Sequence, residues 1–272
     1  MVSGANPSDV RENSMTTISS LRMLTSDLSA SLARVGSQPS VKRATDSYLA
    51  TIENVKSIDD FMSNDRVYSY VMKAFGLEDM AYAKAFIRRV LTEGIDDADS
   101  MANRLTDTRF RDLAETFNFA RYGATAMTFS RTRQGVVDRY LNQTLEIEAG
   151  NSNEGVRLAL YFSRKAASVT NTYSLMGDRA LLKVTQIALG LSASTSALDI
   201  ERQKEMIDKR LDIEDLKDPA KLEKFLTRFA VLWDIEQPQT TSSSIVNLFT
   251  DTSSASVGID LLQQMQNIKR RG

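Results

Sequence analysis

Apolar residues along this chain recur at spacings of three and four, and nowhere do Val, Ile and Thr settle into sustained alternation. That periodicity predicts helices throughout and no strands. Proline falls only at positions 7, 39, 219 and 238. A proline inside a helix costs ~3 kcal/mol, so the proline-free stretch from Ser40 to Asp218 fits the same reading. The predicted fold class is all-α, a multi-helix globular bundle.

The punctuation places the elements. Ile18, Leu21, Leu28, Leu32 and Val35 take a/d positions of a heptad register, with Thr25 as the polar exception, and predict one weak, Ser-rich amphipathic helix. Pro39 opens a helix carrying Val41, Ala44, Tyr48, Ile52 and Val55. Asn64 or Asp65 caps the next, which carries Val67, Tyr70, Val71 and Phe75 and closes at Gly76. Further helices are predicted from Glu78 to Thr92, closed by Gly94, then from the Asp96–Asp99 acids to Leu105, and from Asp107 toward Gly123. A long helix is expected from Ala124 to Glu148, with Gly135 as its weak point and a break at Gly150-Asn151-Ser152-Asn153. Asn153 then caps a helix with Val156, Leu160, Phe162 and Ala166. Helices from Asp178 to Leu189, Asp199 to Leu211, and from Asp218-Pro219 through Trp233 complete the body.

Three segments follow. Residues 1–38 are expected to be a flexible N-terminal segment with a weak amphipathic helix, and 39–235 the helical domain. Residues 236–272 read as a Ser/Thr-rich linker and a last amphipathic helix, with Leu261, Leu262, Met265 and Ile268 on one face before Lys269-Arg270-Arg271. The two terminal stripes are the candidate partner contacts: Leu21, Leu28, Leu32 and Val35 at one end, Leu261, Leu262, Met265 and Ile268 at the other. Inside the body there is an echo. Asp65-Arg66 precedes Ala74-Phe75-Gly76-Leu77, and Asp178-Arg179 precedes Ala188-Leu189-Gly190-Leu191, with Asp-to-Gly spacings of 11 and 12. Chance among similar helices and duplication of a helical unit, 58–120 and 171–234, both account for it. On the second reading the two related units share one core.

The chemistry is limited by what the chain lacks. It has no histidine and no cysteine, which rules out Ser–His–Asp and Cys–His catalysis, the nitrogen and sulfur ligands of zinc, haem and iron–sulfur sites, and disulfide stapling. A net charge of −1 exerts no global pull on nucleic acid. No apolar run is long enough for a transmembrane helix, and residues 1–14 lack the apolar region of a secretory signal peptide. The acids Asp96, Asp97 and Asp99 lack the central Gly and terminal Glu of a calcium loop and read as complements to a helix dipole. Glu146 and Glu148, two apart, splay to different faces and read as solvated surface. Residues 104–139 hold seven arginines against four acids, interleaved with Phe110, Phe117, Phe119, Tyr122 and Phe129. Such a mixture can stack single-stranded RNA, but the aromatics fall at core spacing, so helix core with solvated arginines is the expectation. Gly150 to Gly155 lacks the Gly-Lys-Ser/Thr end of a phosphate loop. No catalytic residue, cofactor or metal ligand is expected.

Longer motifs carry a family resemblance. They are Val71-Met-Lys-Ala-Phe-Gly-Leu-Glu-Asp-Met80, Ala85-Phe-Ile-Arg-Arg-Val-Leu91, Gly155-Val-Arg-Leu-Ala-Leu-Tyr-Phe162, Met206-Ile-Asp-Lys-Arg-Leu-Asp-Ile-Glu-Asp-Leu216 and Lys224-Phe-Leu-Thr-Arg-Phe229. Across residues 40–235 the chain resembles the alphaproteobacterial domain-of-unknown-function family DUF1217, whose members tend to be encoded in flagellar gene clusters. The resemblance implies an all-α fold and an association with the flagellum, and brings no catalytic residues. Family members often begin with a short segment like Met15-Thr16-Thr17, which implies that residues 1–14 are an upstream extension. The expected function is a non-enzymatic, flagellum-associated structural or accessory protein working through helical contacts with a flagellar or other protein, self-association included. A cytoplasmic chaperone or regulator of flagellar assembly is the alternative, and an RNA binder or enzyme the remote one. The expected location is the cytoplasm or the flagellum, with signal-peptide-independent export as one route.

Overall fold

A computed structural model describes residues 16–236. Among them every regular element is helical, with no strand. In chain order the helices are α1 (Thr17–Thr25), α2 (Leu28–Gly36), α3 (Pro39–Ile52), α4 (Ile58–Ser63), α5 (Asp65–Ala74), α6 (Lys84–Glu93), α7 (Met101–Arg104), α8 (Thr108–Phe117), α9 (Phe119–Tyr122), α10 (Gln134–Ser152), α11 (Glu154–Ala166), α12 (Thr172–Met176), α13 (Arg179–Ala188), α14 (Ile200–Asp208) and α15 (Pro219–Glu236). Short 3-10 turns at Glu78–Met80, Gly123–Thr128, Ala193–Ala197 and Ile213–Lys217 join them.

Several boundaries differ from expectation, each for a local reason. The helix expected over 18–35 is two, because the Asp27 carboxylate accepts from the Ala30 N–H at 2.9 Å and starts α2 afresh. The helix expected from Glu78 is a 3-10 turn followed by α6. The helix from Asp107 ends at Phe117, where Asn118 adopts a left-handed φ of 24° and its side chain caps α9. The long helix begins at Gln134, not Ala124, because Thr132 Oγ1 turns back to the Ala126 and Phe129 carbonyls at 2.7 and 2.8 Å. It then runs through the predicted break to Ser152, and only Asn153 interrupts it, as the N-cap of α11. Residues 1–15 and 237–272, with the expected partner contacts Leu261, Leu262, Met265 and Ile268, lie outside the described residues.

The chain divides into two compact units. One takes in residues 38–143 and 177–180. Its core is aromatic: Phe61 lies 5.3 Å from Phe117 and 5.9 Å from Tyr68, ring centre to ring centre. Tyr48, Tyr70 and Tyr140 form a stack with spacings of 4.5 and 4.0 Å. The other takes in residues 16–37, 144–176 and 181–236. Here α11 packs on α15, and α1 packs on both. The Phe162 and Phe225 rings stack at 5.1 Å, and Gly155 lets the Trp233 ring approach the α11 backbone. A Cβ at Gly155 would stand 2.5 Å from Trp233 Cδ1.

The described helices recur in one order. The series α3, α4, α5, 3-10 turn, α6, α7, α8 is followed, after α9 and α10, by α11, α12, α13, 3-10 turn, α14, 3-10 turn, α15. Helices α5 and α13 close alike. Gly76 and Gly190 sit at φ 67° and 65°. The N–H groups of Phe75, Gly76 and Leu77 bond the carbonyls of Val71, Lys73 and Met72, and those of Leu189, Gly190 and Leu191 bond Thr185, Ile187 and Gln186 in the same offsets. This is the Schellman closure, which needs a left-handed residue and hence favours glycine.

Candidate interaction surface

Asp96 pairs with Arg121 at 2.6 Å, and Asp97 accepts the Asp99 N–H at 2.9 Å. No group of acids positioned to hold a metal ion is found among the described residues. Glu146, expected on the surface, is buried. Arg164 on α11 holds it bidentate, Nε to Oε1 at 2.6 Å and Nη2 to Oε2 at 2.9 Å. Glu148 stays part-exposed, 3.9 Å from Arg34.

Most of the seven arginines in 104–139 are engaged within the chain. Arg109 lies against Asp107 at 2.7 Å and donates to the Gly76 carbonyl. Arg133 pairs with Glu53 at 2.9 Å, and Arg139 lies 4.9 Å from the Phe75 ring centre. Arg121 pairs with Asp96, and Arg131 donates to the Thr116 carbonyl at 3.0 Å. Arg131 also stacks over Tyr122 and Phe129 at 5.0 and 4.7 Å. Hydrogen bonding from Arg121, then from Arg131, holds the Tyr122 phenol below its ordinary range. Burial pushes the Asp79 carboxyl up, opposed by Arg109. Burial likewise raises Glu154 against the pull of Arg157.

A buried polar knot ties the first helix down. Asp234 on α15 accepts the Thr17 N–H at 3.0 Å and the Thr17 hydroxyl. Asn153 Nδ2 donates to the same hydroxyl at 2.9 Å while Asn153 Oδ1 caps α11. Of the N-terminal candidate contacts, Leu21 and Val35 are therefore core residues and not a surface stripe; Leu32 is half-buried and Leu28 exposed. For Leu21 the reason is that α1 is seated on α11 and α15.

The exposed apolar side chains lie elsewhere. Tyr82, two residues before the start of α6, is 82% exposed, and Ile200, which opens α14, is 57% exposed with Leu198 beside it. In the recurring helix order Tyr82 and Leu198 match: each stands just before the N-cap residue, Ala83 or Asp199, of the helix that follows the 3-10 turn. On α15, Val231 and Ile235 form a second apolar stripe, away from the buried Leu226, Phe229 and Trp233. The i, i+4 spacing of Val231 and Ile235 was the available sequence signal for this stripe. Tyr82, alone between two alanines, offered none.

Comparison with known proteins bears on this surface. The family model described as "Protein of unknown function (DUF1217)" matches residues 74–222, more than half of the chain. The chain belongs to this family. A crystal structure of a protein from Agrobacterium tumefaciens is 46% identical to this DUF1217 protein. It covers 82% of this chain and 94% of that one, with a TM-score of 0.77. No curated protein matches. The DUF1217 match runs from the α5 closure to the first turn of α15 and so includes Tyr82, Leu198 and Ile200. Among the described residues, no helix is long and apolar enough to cross a membrane.

Proposed function

We propose that this DUF1217 protein is a non-enzymatic, flagellum-associated structural or accessory protein that works through helical protein–protein contacts. One observation carries the contact half of this reading: apolar side chains stand exposed at matching positions of the two helix series, Tyr82 in one and Leu198, beside Ile200, in the other. Exposed apolar groups gain free energy when a partner removes them from water, ~25 cal/mol per Å². The flagellar half rests on the resemblance to a family encoded in flagellar gene clusters. The pairing of the arginine-rich segment within the chain favours this reading over a nucleic-acid role. A chaperone or regulator of flagellar assembly in the cytoplasm would use the same exposed side chains.

The test is fractionation of tagged protein between cytosol and isolated hook–basal bodies, with motility of the deletion strain scored alongside. Loss of motility with protein in the basal-body fraction supports the structural role, and Tyr82→Ser with Ile200→Ser should deplete that fraction. Motility loss with purely cytosolic protein sinks the structural role and favours the chaperone. Normal motility of the deletion strain removes both.

A further inference from the structure

The α15 helix lines an open groove of about 660 Å³. Thr227, Val231 and Leu232 line it on α15, Arg22 joins from the last turn of α1, and Gly190 from the closure of α13. The lining positions on α15 run from Ala220 to Leu232, about 18 Å along the helix axis.

The charge along this groove is unbalanced. Arg22, Lys224 and Arg228 line it with a single acid, Glu223. None of the three cations has an ion-pair partner among the described residues. Other helices set a cation four residues from an acid and pair the two: Lys42 with Asp46 in α3, Arg89 with Glu93 in α6 and Lys204 with Asp208 in α14, at 2.7, 2.6 and 2.6 Å. On the groove face of α15 the same four-residue step joins two cations, Lys224 and Arg228. Like charges at that spacing destabilise a helix. A carboxylate supplied from outside the chain removes that repulsion.

We propose that the groove docks an acidic amphipathic helix of another protein. Its apolar stripe lies against Val231 and Leu232, and its carboxylates meet Arg22, Lys224 and Arg228. This specifies the partner, and rests on the reading of the protein as one that works through helical contacts. A groove of this length takes about three turns of helix, and helix-in-groove recognition reads apolar anchors at three- and four-residue spacing. Complementary charge around the anchors suppresses wrong partners and fixes register. A second copy is disfavoured, because two such faces together set six cations, three from each, against two acids. Single-stranded nucleic acid calls for aromatic side chains to stack on, and none of the groove's lining residues is aromatic.

The test uses the full chain and two fluorescein-labelled synthetic peptides of about 14 residues, read by fluorescence anisotropy. Both carry Leu at alternating three- and four-residue steps; one has Glu at the flanking positions and the other Lys. The Glu peptide is expected to bind at least about tenfold tighter, since three rim pairs change sign together, and its affinity should fall as salt is raised. Lys224→Glu with Arg228→Glu, both at exposed positions, should reverse the preference, a result that misfolding does not produce. Val231→Ser should weaken the Glu peptide by about fivefold. The proposal is overturned if the Glu peptide does not bind, if both peptides bind alike, if the preference survives the charge reversal, or if Val231→Ser changes nothing. Dimerisation that Val231→Ser abolishes overturns it too, by assigning the groove to a second copy. So does binding to phosphatidylglycerol vesicles that the charge reversal abolishes while neither peptide binds, which assigns the groove to a lipid surface. Basal-body fractionation turns instead on Tyr82 and Ile200, outside the groove lining. Failure of peptide binding therefore leaves the flagellar reading standing, and normal motility of the deletion strain removes that reading whether or not the peptide binds.

Discussion

Replacing Gly155 by alanine tests the α11–α15 packing, because two physical effects act with opposite sign. Alanine is the better helix former, and its smaller unfolded-state entropy alone would stabilise the protein by about 0.4–1 kcal/mol. Sterically the site has no room. The new Cβ would stand 2.5 Å from Trp233 Cδ1, 2.6 Å from Nε1 and 2.9 Å from Cγ. Carbon contacts are comfortable near ~3.5–4.0 Å, so the ring or the helix must move by about 1 Å. Trp233 is buried and its ring centre lies 5.7 Å from that of fully buried Phe229, which leaves it little freedom. Overpacking of this kind costs about 1–3 kcal/mol. Because Gly155 lies in the first turn of α11, the propensity gain is at its lower end, and a net loss of about 1–2 kcal/mol is expected. With a urea slope of about 2 kcal/mol/M, the midpoint falls by about 0.5–1 M. Trp233 is the only tryptophan of the chain, so its emission reports unfolding from the site itself. In a Trp233→Phe background, followed by circular dichroism, the cost of Gly155→Ala should shrink by at least about 0.5 kcal/mol. An unchanged or higher urea midpoint for Gly155→Ala would refute the close-approach argument.

Gly190→Ala meets nothing within 4 Å, so its cost is backbone strain alone, about 1–2 kcal/mol by thermal melt. Gly76→Ala also meets Gln143 at 3.4 Å and should cost at least as much; a neutral result at either position contradicts the shared helix closure. Asp234→Asn removes the charged acceptor of Thr17 and should loosen α1 by about 1.5 kcal/mol, read as roughly tenfold faster amide exchange over residues 17–25; unchanged exchange there means that the knot does not hold α1. Glu146→Ala strands Arg164 and should destabilise by about 3 kcal/mol, the low end for a broken buried pair because Arg164 keeps partial exposure; a loss under 1 kcal/mol would place Glu146 with ordinary surface acids. Burial raises the phenols of Tyr48 and Tyr70 above the unfolded value of about 10. Their neutral forms are favoured on folding, so this contribution is complete below pH 10 and is lost as pH rises above it. Tyr70→Phe should flatten the alkaline limb of the stability curve, and equal slopes for variant and parent would count against the assignment.

What the sequence disclosed was local. Asn64, Asp107, Asn153, Asp199 and Asp218 all act as side-chain caps, and Gly76, Gly94 and Gly190 all sit at positive φ. Each is settled within four residues, which is the range that sequence pattern can read. What it hid was tertiary. Residues 124–133 contain no breaker other than permissive composition. The turn there is set by Thr132, whose hydroxyl bonds back to Ala126 and whose carbonyl accepts from Tyr48, 84 residues away. Glu146 looked solvated because its partner, Arg164, is a full helix further on. Leu21 and Val35 have the spacing of a docking stripe, yet both are buried, Leu21 because α1 sits on α11 and α15.

The two helix series differ in one candidate surface, the apolar stripe of α15. They keep one order up to the last helix, with the short α7 standing where the second series has a 3-10 turn, and there they part. Helix α8 stops at Phe117, where Asn118 takes the left-handed conformation and caps α9. Its counterpart α15 begins with the same Asp-led N-cap but continues eight residues further, to Glu236. That extension carries Phe229 and Trp233 on the buried face, Asp234 at the knot with Thr17, and Val231 and Ile235 toward solvent. The Asp234 contact that seats α1 and the exposed Val231–Ile235 stripe therefore both lie on the stretch of α15 after Arg228. Tyr82 and the Leu198–Ile200 pair lie before the last helix of each series, and an exposed apolar group appears in both, while the Val231–Ile235 stripe belongs to α15 alone.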